Sequence, residues 1–302
     1  MLMTKKILYL LLFSLIIYSC KKEEQKIKTV DQTIEVATQN LPKDPPIYLP
    51  SSAPENEIIT HIKKRQQVLS LLLKSVAPEK ADELYKNLIK ENDSALTLLQ
   101  IRKETLLEKY YGYSDYDPQT QVYTMKFPKE VEKLVKDYRA AGIEFWEIGE
   151  GYTELRMLPT YYFKLFAGKF SPDYQTYLEM ITAEDQVLFQ SDAAIRISWR
   201  DVAKRVESRE KFLIDFPNSK LIKEIKQQLK EYQYAYLLGY DNTQTHEQGK
   251  LNPENLEEFK RIIRENPNSE TSTIIKELLP NDFDRDGIFD FVTKRIGYNL
   301  YE

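Results

Sequence analysis

The chain has 302 residues, with 43 Lys plus Arg against 47 Asp plus Glu and a formal net charge of −4, so no net positive field draws it to nucleic acid. A single cysteine, Cys20, excludes an internal disulfide, a Cys-rich zinc site and a CxxC redox pair, and two histidines, His61 and His246, nearly exclude a His-based metal centre. The length suits one large or two modest domains.

The chain opens with Lys5 and Lys6, then an almost wholly apolar run from Ile7 to Ile17, then Tyr18-Ser-Cys20. A basic start, a short apolar stretch and a small residue before a break predict a secretory signal peptide over 1–19. Eleven apolar-rich residues span about 16 Å as a helix, short of a hydrocarbon core of about 30 Å, so no permanent membrane span is expected there. Ile17-Tyr-Ser-Cys20 resembles a bacterial lipobox, at which the signal is cut and the cysteine acylated. Tyr18 departs from the Ala or Ser commoner at its position. Cys20-Lys-Lys-Glu-Glu24 resembles the export signal of surface lipoproteins in the Bacteroidota. These resemblances imply a lipidated, palmitate-bearing Cys20 and an outer-membrane protein displayed at the cell surface, its membrane partner engaged through the N-terminal lipid. More than one acyl chain is needed for stable anchoring, and a diacyl or triacyl cysteine meets that need.

A lipidated tether is expected over 20–55, polar at first and then proline-rich in Leu41-Pro-Lys-Asp-Pro-Pro-Ile-Tyr-Leu-Pro50, which stiffens it toward an extended form. A helical body over 56–302 follows. Ile58, Ile59, Ile62, Val68, Leu69, Leu72 and Leu73 recur at three- and four-residue steps, predicting an amphipathic helix that Pro78 ends. A second helix carries Leu84, Leu88 and Ile89. Asn92-Asp-Ser94 reads as a set of N-caps opening a third helix near 94–111, which Gly112 terminates.

The middle of the chain predicts a small sheet over about 121–158. Gln121-Val-Tyr-Thr-Met-Lys-Phe127 alternates like a strand, 128–142 reads as a helix, and Ile143–Ile148 with Tyr152–Leu158 reads as a hairpin about Gly149-Glu-Gly151. Helices are then expected over about 160–167, 172–190 and 193–215.

An internal echo organises the last third, with hairpin repeats over about 193–279. Glu210-Lys-Phe-Leu-Ile-Asp-Phe-Pro-Asn-Ser219 aligns with Lys260-Arg-Ile-Ile-Arg-Glu-Asn-Pro-Asn-Ser269 at an offset of 50 positions. Helix, Pro-Asn-Ser turn and helix resemble a tetratricopeptide-like hairpin, which implies stacked hairpins burying one another's apolar faces. Ile197-Ser-Trp-Arg-Asp201, leading into the first repeat, also resembles uncharacterised extracytoplasmic helical proteins of bacteria and adds no chemistry. The fold expected is mainly α: a helical-hairpin array with a small β-hairpin or sheet insertion.

Asp282-Phe-Asp-Arg-Asp-Gly-Ile-Phe-Asp290 sets three Asp at alternate positions before a Gly. One tight loop could aim such carboxylates at a hard cation, with Gly permitting the sharp turn and the next residue offering a carbonyl. The stretch resembles an EF-hand or thrombospondin type-3 calcium loop over 282–293. That implies side-chain ligands Asp282, Asp284 and Asp286, a carbonyl from Ile288, and Asp290 direct or through water. Thr293 stands where such loops carry a bidentate acid, so affinity should fall to the range of extracellular modules, about 10⁻⁴–10⁻³ M.

Twenty-one tyrosines give the chain a second candidate. Most are expected in the core. Tyr111, Tyr113 and Tyr116 lie in a Gly-, Ser- and Asp-containing segment and are the expected binding surface, since Tyr pairs an apolar face with a polar tip. Glu144, Glu147, Glu150 and Glu154 surround Trp146, but Glu144 and Glu147 fall on opposite faces of one strand, poorly placed for a glycosidase pair. No nucleotide or redox cofactor motif is complete: Gly149-Glu-Gly151 starts a dinucleotide fingerprint that Glu154 breaks. Absence of catalytic motifs and the hairpin architecture together favour a binding or scaffolding module, its partner another envelope protein or a glycan. A glycan- or peptidoglycan-acting hydrolase and a calcium-stabilised structural lipoprotein are the alternatives.

Overall fold

The computed structural model describes residues 46–298 except 248 and 282, and of Arg285 the backbone alone. The signal peptide expected over 1–19, Cys20, the first part of the expected tether and Asp282 therefore lie outside the described residues. Within them the protein is mainly helical, with ten α-helices and five separate two-stranded antiparallel ribbons. No described helix is long and apolar enough to cross a membrane.

Helix α1 (Glu55–Leu72) buries Ile58, Ile62, Arg65 and Leu69 along one stripe. It packs on α2 (Pro78–Tyr110), whose Pro78 supplies the fixed φ and missing N–H that suit a first turn. The expected break at Asn92-Asp-Ser94 does not occur, and α2 runs unbroken for 33 residues. The reason is tertiary. Asn92 is buried and gives its amide to the Tyr162 hydroxyl at 3.1 Å. Its neighbour Glu91 is buried beneath Arg65, which donates Nε and Nη2 to it at 2.7 and 3.0 Å. The polar side chains thus find partners on other elements and leave the helix backbone alone.

Strand β1 (Ser114–Asp117) pairs with β2 (Val122–Met125), and α3 (Lys129–Arg139) follows. Strands β3 (Ile143–Gly149) and β4 (Tyr152–Met157) form the expected hairpin, laid against α2. The single small sheet expected here is two ribbons instead. Gly142, at φ +84°, enters β3 where a Cβ would meet the Tyr161 ring at 2.3 Å, so only glycine fits. Helices α4 (Tyr161–Phe166) and α5 (Pro172–Glu184) add to a first core that Phe212, Leu221 and Ile225 also enter. At its centre Tyr85 makes edge contacts with Tyr162, Phe166 and Phe170, at 5.2–5.6 Å between ring centroids.

Helix α5 stops at Glu184, and a ribbon of β5 (Gln190–Ser191) and β6 (Ala194–Ile195) occupies sequence expected to be helical. Helix α6 (Trp199–Asp215) starts only where Ser198 Oγ accepts from the Asp201 N–H. It turns into α7 (Ile222–Leu237). Further short ribbons, β7 (Gly239–Tyr240) with β8 (Thr243–Gln244) and β9 (His246–Glu247) with β10 (Lys250–Leu251), lead to α8 (Pro253–Glu265) and α9 (Glu270–Leu278).

The sequence echo is a structural repeat. The residues closing α6 and α8, Phe216 and Asn266, share φ −129° and ψ 60°. The N–H groups of Ser219 and Ser269 return to their carbonyls at the same 3.1 Å. Glu210 of α6 accepts the N–H and hydroxyl of Thr271, both at 2.8 Å, and so caps α9 across the repeats. Helix α10 (Arg285–Ile296) closes a second core with Ile288, Val292 and Ile296. Leu213 of α6 packs against both cores.

One polar cluster joins the cores. Arg209 of α6, 1% exposed, donates through both terminal nitrogens to Glu184 of α5, Nη2 to Oε2 at 2.7 Å. Gln228 of α7 accepts from the same guanidinium at 3.1 and 3.2 Å. Arg205 bonds the Glu184 carbonyl and the Tyr232 hydroxyl, and Tyr232 donates to Glu184 Oε2 at 3.2 Å. Removing one member of a buried ion pair strands the other in a low dielectric. Arg209→Met should therefore lower unfolding free energy by about 3–5 kcal/mol in urea titrations, and adding Glu184→Met should recover part of the loss.

Candidate functional site

The described residues singled out from sequence fall in three places. Tyr116 on β1 and Tyr111 in the 3-10 turn before it are exposed, 47% and 42%, and Tyr123 of β2 lies beside both, its ring centroid 4.8 and 6.4 Å away. Tyr113 instead turns inward, half-buried, edge-on to Phe127 at 5.7 Å. The patch is flat ribbon surface, held at its turn by Asp117, which accepts from the Gln119 N–H and the Thr120 hydroxyl at 2.8 Å.

The acidic segment is not a loop where a loop was expected. Asp284 Oδ1 accepts the Gly287 N–H at 2.9 Å, making Asp284 the N-cap of α10. Asp286 and Asp290 are exposed on that helix, and Ile288 is buried at 4%. The cause is the apolar period running through the acids. Ile288, Val292 and Ile296 enter the second core, while Phe283 stacks on Phe291 at 5.4 Å. Among the described residues no three His, Cys, Asp or Glu converge as a metal site would require.

The acids around Trp146 are tied into their ribbon. Glu144 accepts from Arg156 across the strands at 2.8 Å, Glu147 accepts the Gly149 N–H at 3.1 Å, and Arg156 lies 3.5 Å over the Trp146 ring.

An aromatic-lined concavity lies elsewhere, at the end of α7. A cleft of about 380 Å³ is lined by Tyr234, Tyr240 and Phe289, with Asp241, Gln244 and His246 among them. Tyr234 stands 6.1 Å from Tyr240 and 6.4 Å from Phe289, centroid to centroid. Among the described lining residues Asp241 is the one carboxylate, and there is no Lys or Arg.

Local folding explains the cleft. Gly239 follows α7 at φ +76°, and a Cβ there would lie 2.0 Å from the Thr243 carbonyl oxygen. That contact lets β7 and β8 turn back tightly over the helix end. Thr245, wholly buried, donates its N–H to Leu238 O at 3.1 Å and its hydroxyl to Leu237 O at 2.8 Å, satisfying carbonyls α7 leaves open. Asn242 reaches the β5–β6 turn, its N–H on Ala193 O at 2.9 Å and its amide on Asp192 O at 2.6 Å. Asp192 and Ala193 are held at φ +50° and +48°, a left-handed pair suited to a two-residue hairpin turn. Helix α10 supplies the far wall through Ile288 and Phe289.

His246 is the polar centre. The Thr245 hydroxyl has one hydrogen, spent on Leu237, so at 2.8 Å from His246 Nδ1 it accepts. Nδ1 then carries the proton and Nε2 keeps its lone pair. Burial lowers the His246 pKa below the usual imidazole value, favouring that neutral form. Burial likewise pushes the Tyr240 hydroxyl upward, with Tyr298 and Glu231 adding to the effect.

No family model, curated protein or solved structure matches this chain.

Burial also lowers the pKa of His61, whose Nε2 lies 3.9 Å from Glu91. A folded-state pKa below the unfolded value of about 6.5 means that the unfolded chain takes up the proton first as pH falls. Each histidine's contribution is therefore present above about pH 6.5 and lost on acidification. Asp185 and Glu210, raised by burial, act in the opposite sense at lower pH. The difference isolates the histidine: the melting temperature of the protein minus that of His246→Gln should fall between pH 7.5 and about 5.5, read by circular dichroism.

Proposed function

We propose that the chain is a lipid-anchored binding module of the bacterial cell envelope. Acylated at Cys20 and held in the outer membrane facing outward, it offers the cleft at the end of α7 to a ligand carried by another envelope protein or a glycan. The observation that supports binding rather than turnover is the composition of that cleft: three aromatic faces and a neutral imidazole, with Asp241 facing no second described carboxylate across it. Glycoside hydrolysis needs two carboxyl groups about 5–10 Å apart. Concave, aromatic-rich surfaces with a few placed polar groups are what small-ligand recognition uses. The anchoring part of the reading rests on Lys5, Lys6, the apolar run and Ile17-Tyr-Ser-Cys20.

Two measurements test this. Cys20→Ala should move the protein from the membrane to the soluble fraction, and undiminished membrane retention would refute the lipid tether. The purified Cys20→Ala chain, incubated with solubilised envelope peptides and glycans, should retain a ligand and release it chemically unchanged. Tyr240→Ala with Phe289→Ala should abolish retention. Cleavage of the retained glycan, or retention unaltered in the double variant, would overturn the binding reading.

A further inference from the structure

The cleft's polar groups are mostly acceptors, with the Tyr240 hydroxyl and the Gln244 amide as donors among them. The Asp241 carboxylate presents acceptor oxygens. His246, its Nδ1–H committed to Thr245, offers Nε2 as an acceptor. Gln244 gives one amide hydrogen to Asp241 O at 3.3 Å, which leaves its carbonyl oxygen and its second N–H. Around these acceptors stand the faces of Tyr234, Tyr240 and Phe289, whose quadrupoles are negative above the ring. A carboxylate ligand would meet acceptors and electron-rich faces. A neutral polyol could hydrogen-bond here but brings no charge to complement the one carboxylate in a lining without Lys or Arg. An ammonium group brings three donors and a positive charge, and the Asp241 carboxylate, the acceptor atoms and the aromatic rings attract it.

Resting on the binding reading above, we infer that the cleft takes a protonated alkylamine: an aliphatic stem over Tyr240 and Phe289, and an ammonium head toward Asp241 and His246 Nε2. A free alkylamine and a lysine side chain of a partner protein present the same chemistry. Cation–π contact in a partly open site is worth a factor of a few per ring, so affinity for the bare group should lie in the millimolar range.

The test is calorimetric titration of the Cys20→Ala chain with n-butylamine, Nα-acetyl-lysine methylamide, n-butanol and Nα,Nε-diacetyl-lysine methylamide. The two ammonium probes should bind at least tenfold more tightly than their uncharged counterparts. Tighter binding of the lysine probe than of butylamine would indicate a side chain as the natural ligand, and the reverse a free amine. Asp241→Asn, at an exposed position, should weaken both at least threefold while leaving the melting temperature unchanged. Tyr240→Phe, which keeps the ring, should bind within twofold of the parent. Equal binding of charged and uncharged probes, no binding of either amine at millimolar concentration, or indifference to Asp241→Asn would each overturn the inference. If an uncharged envelope ligand is still lost with Tyr240→Ala and Phe289→Ala, the binding module stands and the amine assignment alone fails.

Discussion

The contact between Arg209 and Glu184 is the point on which the arrangement turns. An arginine with 1% of its surface exposed can persist only if its charge and donors are met, and here Glu184 of α5 and Gln228 and the Tyr232 ring of α7 meet them. Its guanidinium carbon lies 4.7 Å from the centre of that ring. The fork geometry of a guanidinium fixes direction as well as distance. Thus α5 is set in one orientation against α6 and α7, the hairpin that contributes to both cores. From α7 the chain passes directly into Gly239 and Tyr240, so the cleft inherits the placement of the helix that ends in it.

Helical periodicity was readable wherever apolar residues recur at three and four positions with nothing to contradict them, as in α1 and α8. It misled where polar residues serve distant partners. Asn92-Asp-Ser94 has the composition of a helix start, yet Asn92 and Glu91 bond Tyr162 and Arg65, which lie 70 and 26 positions away. The aspartates about Gly287 have the spacing of a cation loop, yet Phe283 and Ile288 among them, with Val292 and Ile296 beyond, belong to an apolar stripe that the second core absorbs. In both segments tertiary burial decided between two local readings of equal standing. The Pro-Asn-Ser repeat, by contrast, encodes its own geometry, and the matching dihedrals at Phe216 and Asn266 show it.

The candidate site was far less legible. Of its residues, Tyr234 reads as one of many tyrosines on a helix, and His246 as a lone histidine with no catalytic company. Phe289 sits inside an acidic motif that draws attention elsewhere. The cleft exists because two-residue ribbons at Ser191–Ala194 and Tyr240–Thr243 are stitched together by Asn242, and elements that short have no periodicity to detect. A signal was present in Gly239, one of nine glycines in the chain, standing directly after a strong helix. It marks a backbone crossing that no Cβ would survive.

Helix α10 has two faces with separate duties. Ile288, Val292 and Ile296 pack into the second core, where the helix meets both α7 and α9, while Phe289 on its rim completes the cleft. Core packing and the wall of the cleft are therefore carried by the same twelve-residue helix. A third hairpin inserted after α9 would lengthen the stack without disturbing its internal contacts, but it would carry this wall away from Tyr234. The architecture is extensible in principle and yet held to two repeats by its own pocket.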